Sequence, residues 1–252
     1  MSLFTPLPFT PLPFTPLPGT VARRRIYLLR HGHVAYYDAA GRPLNPKLAE
    51  LTERGRAEAR AAGALLAGVP LDRVVCSGLP RTRQTAELVV EGRGLAVEED
   101  PAFLEIRTGR MAGVPKERRE AEYIYGFEGA DAEGACFAGG DAFAAVRDRV
   151  VAGIERLALE PGWTHLALVA HDGVNRVVLS WACGAGLCAL AAFEQDYGCV
   201  NILDVDVDMD VAGGRIRRRL IRAVNVTPGD PAKAGIHETS MEVAFGPLLK
   251  MP

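Results

Sequence analysis

The amino-acid sequence predicts an α/β protein of three layers, α/β/α, in which helices cover both faces of a mostly parallel central sheet. Short, mostly apolar runs such as 26–29 and 165–170 are typical of strands buried on both faces. Longer segments with apolar residues at helical spacing separate these runs, and this alternation indicates parallel pairing. A less regular stretch in the middle of the chain predicts an inserted, partly helical cap over the functional site.

Length and composition exclude several classes of protein. Of the 252 residues 48% are hydrophobic and 24% are charged, which is the balance of an ordinary globular protein and not of a disordered or fibrous one. The formal net charge of -2 provides no basic field for nucleic acid. No apolar run reaches the roughly 18 residues that span a bilayer. We therefore expect no nucleic-acid or membrane partner, and we leave a homodimer open.

The cysteines and the N-terminus favour a cytoplasmic location. The five cysteines are odd in number and irregularly spaced, and no CxxC pair occurs, so no zinc knuckle or thioredoxin-type site is predicted. Isolated thiols in apolar surroundings suit a reducing compartment. The first residues also lack the basic start and continuous apolar stretch of a signal peptide.

The chain divides into three parts by its sequence pattern. Residues 4–18 repeat FTPLP three times, and proline at every second or third position favours extended polyproline conformation over helix or central strand. We interpret 1–23 as a proline-rich extended arm with no catalytic role, with a docking segment as the alternative. The folded domain is expected over 24–226, with an insertion at about 106–140, and 227–252 forms a C-terminal extension.

The first half of the domain contains strands and helices in turn. After the strand at 26–29, a helix is expected from Thr52 as N-cap to Gly68 as C-terminal stop. A strand at 71–76, a helix at about 81–90 and a strand at 95–98 follow.

The second half begins with a stretch that has no clear period. Glycines, charged residues and aromatics are mixed over 105–140, so only part of it is expected to be helical. Regular patterns then predict a helix at 141–159, a strand at 165–170, a helix at 173–183 and strands at 200–207 and 215–224.

Aspartates occupy alternate positions late in the chain, at 204, 206, 208 and 210. An EF-hand calcium loop needs Gly at its sixth position and Glu at its twelfth, and no starting position here supplies both. The alternation is typical of a half-exposed strand. We expect its acidic face to pair with Arg215, Arg217 and Arg219 on the following strand.

Ionisable or polar side chains follow three of the predicted strands. Arg30 and His31 end the first, Ser77 and then Arg81 follow the second, and His171 follows the strand at 165–170. Because ligands of open parallel sheets bind beyond the carboxyl ends of the strands, we expect these side chains to converge.

Two histidines and two arginines at one sheet edge suit phosphoryl transfer. Guanidinium groups match phosphate oxygens with two parallel hydrogen bonds, and helix N-termini near Arg81 and Gly173 would add N–H groups to the anion site. A neutral imidazole can attack phosphorus and hold the phosphoryl group covalently. An acid must protonate the leaving alcohol. Glu105, at the entrance of the insertion, is the best-placed carboxylate.

Five segments, in order along the chain, resemble the motifs of the histidine phosphatase superfamily, which has the phosphoglycerate-mutase-like fold. They are LLRHG at 28–32, LTERGRAEA at 51–59, CSGLPRTRQTA at 76–86, LEI at 104–106 followed by Gly109 and Gly113, and VAHDG at 169–173. The similarity extends from about residue 26 to residue 225, so 24–226 is interpreted as a histidine phosphatase domain.

The resemblance implies a role for each residue at the predicted edge. It implies that His31 is the nucleophile, that Arg30, Arg81 and His171 hold the phosphoryl group, and that Glu105 is first acid and then base. It implies no metal and no organic cofactor.

The sequence also departs from the family pattern. Tyr37 stands where members with a mutase-like first loop carry Asn, His33 where Glu is common, and Gly78 where Pro is frequent. Asp172 replaces the small residue that usually follows the second histidine. We keep Tyr37 and Asp172, together with Arg30, Arg81 and His171, as candidate substrate-binding residues.

The leading hypothesis is a phosphomonoesterase that hydrolyses a small phosphorylated metabolite through a phosphohistidine. The alternatives are a phosphoglycerate-type mutase on the same fold and a non-catalytic phosphate-binding module. A metal-dependent hydrolase is a further alternative, because His31-Gly32-His33 after a strand also resembles the metal pair of amidohydrolases. That class would need more metal ligands at the later strand ends of a barrel.

Overall fold

The structure is a computed structural model that describes residues 22–38, 42, 44–110 and 113–249. The strands are β1 (Ala22–Arg30), β2 (Arg73–Cys76), β3 (Val97–Glu99), β4 (His165–Ala170), β5 (Val200–Asp208) and β6 (Arg215–Val226). The longer helices are α1 (Glu53–Leu65), α2 (Pro80–Val89), α3 (Phe143–Leu159), α4 (Asp172–Cys183) and α5 (Ser240–Leu249). Every predicted strand and helix is present with ends that differ by a few residues, and α5 was not predicted.

The six strands form one open sheet in the order β3-β2-β4-β1-β5-β6. β3, β2, β4 and β1 are parallel to one another, whereas β5 pairs antiparallel with both β1 and β6. The sheet is therefore mixed and mostly parallel, which confirms the predicted fold class. The open sheet contradicts the barrel that the metal-dependent alternative required.

Both faces of the sheet are covered, and β1 shows how its sequence achieves this. Ile26 and Leu28 point into the core that contains α3 and α4, whereas Tyr27 and Leu29 point into the core of α1 and α2. Successive side chains of a strand face opposite sides, so a continuous apolar run serves two cores at once.

The alternating aspartates pair with other arginines than those expected, so this prediction is wrong. β5 lies between β1 and β6, so Asp204 and Asp206 are buried instead of half exposed. Each carboxylate is bound from both neighbouring strands. Asp206 accepts from Arg23 and Arg218, and Asp204 accepts from Arg25 and Arg222. The antiparallel register sets this choice, because it places Arg218 directly opposite Asp206.

Within its described residues, the insertion contains short helical turns at Lys116–Arg118, Glu120–Ile124 and Phe137–Gly139. The C-terminal helix α5 packs against it, with the ring centroid of Phe245 5.0 Å from that of Tyr123 and 6.1 Å from that of Phe137. Residues 1–21 of the proline-rich arm lie outside the described residues. No helix of the described ranges is long and apolar enough to cross a membrane.

Candidate active site

The carboxyl ends of three adjacent strands bring the predicted phosphate-binding residues together. His31 follows β1, His171 follows β4, and Arg81 lies in the first turn of α2, shortly after β2. The ring centroids of the two histidines are 5.2 Å apart, and Arg81 Nε is 3.2 Å from His31 Nε2. The sheet topology produces this convergence of residues that are distant in sequence.

The imidazole of His31 is held so that the Nε2 lone pair faces the pocket, where Arg81 Nε donates a hydrogen bond to it at 3.2 Å. Its Nδ1 lies 2.8 Å from Gly32 O, and a carbonyl oxygen can only accept, so Nδ1 carries the proton and Nε2 keeps its lone pair. Burial, followed by the charges of Arg81 and Arg30, lowers the pKa of His31 well below its usual value. His31 is therefore neutral at neutral pH.

The loop after His31 is packed tightly between α1 and α2. A Cβ atom on Gly32 would lie 2.3 Å from Gly55 O, and one on Gly55 would lie 2.1 Å from His33 O. Gly32 N donates to Thr85 Oγ1 at 3.1 Å, and the Thr85 hydroxyl donates to Arg81 O at 2.7 Å. These contacts fix the position of His31 relative to the helix that carries Arg81.

Arg30 is buried beside His31. Its guanidinium carbon lies 3.8 Å from the ring centroid of Tyr197, and Nη1 donates to Gln195 O. The same Nη1 is 3.7 Å from Asp172 Oδ2. Arg30 Nε has no hydrogen-bond partner among the residues described. A buried donor of this kind is costly unless a ligand or water satisfies it, which suits an anion site.

His171 is oriented by two hydroxyl groups. Its Nε2 lies 2.8 Å from Ser77 Oγ, which lies 2.9 Å from Thr82 Oγ1. Its Nδ1 has no hydrogen-bond partner within the described part of the chain. Burial, followed by the charges of Arg81 and His31, lowers the pKa of His171 well below its usual value. His171 is also the N-cap of α4, so the positive end of this helix lies at the pocket.

Glu105 lies at the same edge of the sheet, against the start of α4. Its Oε1 accepts a hydrogen bond from Ile106 N at 2.9 Å, and a Cβ atom on Gly173 would lie 3.1 Å from this oxygen. Burial, and next the negative charge of Asp172, raises the pKa of Glu105 to about 7. Since this value lies near neutral pH, the carboxyl group can both give and take a proton there.

The sequence profile of the histidine phosphatase superfamily (branch 1) matches residues 26–212. The chain belongs to this superfamily. The match contains all of the predicted catalytic residues, His31, Glu105, Arg30, Arg81 and His171, and it confirms the resemblance seen in the motifs.

Several named relatives within the histidine phosphatase superfamily are phosphatases, and others are named as probable phosphoglycerate mutases. Adenosylcobalamin/alpha-ribazole phosphatase of Salmonella typhimurium is 31% identical over 183 residues, which are 72% of this chain and 90% of that protein. Acid phosphatase of Mycobacterium tuberculosis is 34% identical over 167 residues, covering 64% and 76%. The crystal structure of the alpha-ribazole phosphatase from Shigella flexneri matches with a TM-score of 0.62 and 25% identity, over 85% of this chain and all of that one. The protein is a phosphomonoesterase, as predicted.

The two further candidates for substrate binding have partners within the protein. The Tyr37 hydroxyl donates to Ala244 O of α5 at 3.4 Å, and its role as a substrate contact stays a prediction. Asp172 is buried at the start of α4, between Arg30 and Arg176. Among the residues that the structure describes, no group of three or more His, Cys, Asp or Glu side chains is placed to hold a metal ion.

Two tyrosines of the site were not singled out in the sequence. Tyr36 lies near Arg81, and burial raises the pKa of its phenol to about 12, so it stays protonated and can donate a hydrogen bond. Tyr197 covers Arg30, and its ring centroid is 5.8 Å from that of His31. Neither follows a strand end, so position in the predicted elements could not have identified them.

Proposed function

We propose that this phosphatase works through a phosphohistidine at His31. Nε2 of His31 attacks phosphorus, and the bond from phosphorus to the leaving oxygen breaks as Glu105 gives that oxygen its proton. Water then attacks the phosphoryl group, Glu105 takes a proton from this water, and the P–N bond breaks to return the neutral imidazole. The observation that carries the proposal is that His31 Nδ1 donates to Gly32 O, which leaves the unprotonated Nε2 facing the guanidinium of Arg81 in the pocket.

The surrounding groups support charge stabilisation during both steps. Arg30, Arg81 and His171 surround His31, and the buried Arg30 Nε and His171 Nδ1 have no partner among the described residues. The equatorial oxygens of a transferring phosphoryl group would supply partners for these atoms. Hydrogen-bond donors fixed in place before the reaction stabilise the transition state without reorganisation at the moment of transfer. Together with the nucleophile and the acid, they favour turnover over passive phosphate binding.

We propose a small phosphorylated metabolite as substrate, with alpha-ribazole phosphate as the first compound to test because named relatives are alpha-ribazole phosphatases. We also propose a cytoplasmic location. All five cysteines are free, two of them buried, which suits a reducing compartment.

A panel of phosphomonoesters tests this function. Purified protein should release free phosphate from alpha-ribazole phosphate or another small alkyl phosphate, and it should not convert one phosphoglycerate isomer into another. Turnover should survive EDTA, since arginines take the place that cations have in metal-dependent phosphatases. Isomerisation without phosphate release would assign the mutase reaction instead. No turnover on any ester would favour a binding module.

The pH dependence of kcat/KM should show an alkaline limb near pH 7 for an alkyl phosphate. The active form needs His31 neutral and Glu105 protonated. The lowered pKa of His31 keeps it neutral well into the acid range, whereas Glu105 loses its proton as the pH rises through about 7. Activity should therefore be high on the acid side of neutrality and fall above it. Profiles from about pH 4 to about pH 9 would measure this.

A nitrophenyl phosphate supplies the matched control for that profile. Its phosphate group ionises as that of the alkyl ester does, but its nitrophenolate leaving group departs without a proton. The phosphorylation step with this ester should therefore lack the alkaline limb. The same limb in both esters would assign it to the phosphate group or to another residue.

A further inference from the structure

A row of alternating charges runs from the phosphate pocket to the C-terminal helix. Asp172 Oδ1 accepts a hydrogen bond from Arg176 Nε, and Asp172 Oδ2 lies 3.7 Å from Arg30 Nη1. On its other side, Arg176 Nη2 lies 3.1 Å from Glu194 Oε2 and 3.3 Å from Ser240 Oγ. Ser240 is the first residue of α5, and its N–H donates to Glu194 Oε1 at 2.6 Å. Four residues thus connect Arg30 to the C-terminal helix: Asp172, Arg176, Glu194 and Ser240.

Arg176 has contacts on every side, and these contacts hold its guanidinium in place within the row. Besides its carboxylate and hydroxyl partners, Nη1 donates to Leu190 O at 3.0 Å. Its guanidinium carbon lies 4.7 Å from the ring centroid of Phe127. Only 3% of Arg176 is exposed. An arginine bound in this way is set in one orientation and can orient a neighbour.

Asp172 is poorly suited to touch a phosphoryl group and well suited to hold Arg30. Burial tends to raise the pKa of Asp172, but Arg176 and Arg30 outweigh it and keep the pKa below its usual value, so the carboxylate is charged. A charged carboxylate repels phosphate oxygens. Its Oδ2 has no hydrogen-bond partner among the residues described, and Arg30 is the cation beside it.

We propose that Asp172 is a positioning residue: held by Arg176, it fixes the Arg30 guanidinium against the transferring phosphoryl group, while Ser240 and Glu194 fix Arg176. The proposal rests on the phosphohistidine mechanism above. A guanidinium binds phosphate through a planar fork, so its orientation decides whether two hydrogen bonds form or one. Displacement by about 1 Å can cost on the order of 10²-fold in rate.

The same carboxylate also acts on the catalytic acid. The negative charge of Asp172 is the second largest cause, after burial, of the raised pKa of Glu105. Loss of that charge should lower the pKa of Glu105 and move the alkaline limb of kcat/KM to lower pH. A variant that lost stability without losing a charge near Glu105 would leave this limb in place, so the limb separates the effect of the Asp172 charge from a loss of stability.

The Asp172→Asn variant tests the proposal, because Asn has nearly the same shape and its oxygen can still accept from Arg176. With an alkyl phosphate we expect kcat/KM to fall about 10- to 100-fold and its alkaline limb to move to lower pH. Asp148→Asn is the matched control, since it removes a carboxylate that is 69% exposed on α3. It should change neither quantity.

A double-mutant cycle with Arg30→Lys asks whether Asp172 acts through Arg30. Lysine has no planar fork to align, so Asp172→Asn should lower kcat/KM by less than about 3-fold in the Arg30→Lys background. Equal costs in the wild-type and Arg30→Lys backgrounds, or an unmoved alkaline limb, would overturn the proposal. Asp172→Ser gives the same comparison if the Asn variant does not fold, as judged by thermal unfolding.

Different results would disprove the phosphohistidine mechanism and the positioning role of Asp172. If acid-sensitive phosphoenzyme cannot be trapped in the wild-type protein, the phosphohistidine mechanism is wrong. If it is trapped in both the wild-type and the Asp172→Asn proteins but the rate of its formation is equal, the mechanism stands and the positioning role is wrong. The expected result is a phosphoenzyme that forms about 10- to 100-fold more slowly in the variant.

Discussion

Replacement of His31 by Ala is expected to lower turnover by about 10⁴-fold or more and to leave the fold intact. The variant keeps the cationic pocket but loses the atom that accepts the phosphoryl group. We do not expect His171 to replace it, because the His171 ring is fixed elsewhere in the pocket, with Nε2 2.8 Å from Ser77 Oγ and its centroid 5.2 Å from that of His31. Initial rates of phosphate release, together with thermal unfolding, would measure both effects.

His165→Ala is the matched control for this loss. His165 is the first residue of β4, at the opposite end of the strand from His171, and it stacks on Tyr27. The control should keep near-normal turnover. With radiolabelled substrate, the wild-type protein and the control should form an acid-labile, alkali-stable phosphoenzyme, and the His31 variant should form none. Near-normal activity of His31→Ala would refute the phosphohistidine mechanism.

Glu105→Gln is expected to affect substrates according to how much their leaving group needs a proton. An alcohol has a pKa of about 15, so an alkyl phosphate should lose roughly 10²–10⁴-fold in rate, which is the usual contribution of a general acid. The nitrophenolate group of a nitrophenyl phosphate leaves readily without a proton. The rate of the phosphorylation step with this ester should therefore fall much less. Gln keeps the size of Glu105 and can still accept from Ile106 N, so the site should retain its shape.

Rapid-quench trapping separates the two steps in this variant. With the aryl ester the phosphoenzyme should appear in a near-normal burst and then hydrolyse slowly, because the same residue later activates water. Equal losses for both esters in the phosphorylation step would remove Glu105 from the acid role. The carboxylates of the insertion would then be the next candidates to test: Glu117, Glu120 and Glu122.

The position of the catalytic residues in the sheet could be predicted because it follows from local pattern and one topological rule. The apolar runs before Arg30 and His171 identify buried strands. Parallel strands end at the same edge, so their following residues must approach one another. The ring separation of 5.2 Å between His31 and His171 is the outcome of that rule.

Contacts that depend on packing between distant segments could not be predicted in the same way. The aspartates of β5 were assigned to Arg215, Arg217 and Arg219, whereas the register places Arg218 and Arg222 on their side of the sheet. A shift of one residue moves a side chain to the other face, and bulges between β5 and β6 change the register locally. No pattern within either strand records where such bulges fall.

The sequence by itself determined the fold class, the order of its elements and the set of residues that meet at the sheet edge, because these follow from apolar periodicity and from parallel topology. Only the tertiary structure decided how Asp172 is used, where α5 lies and which tyrosines line the pocket. Asp172 gains its role from Arg30 and from an arginine that Glu194 and Ser240 hold. The strength of an interaction between two charged side chains depends on their distance in space and on their burial. Neither quantity can be read from the separation of the two residues along the chain.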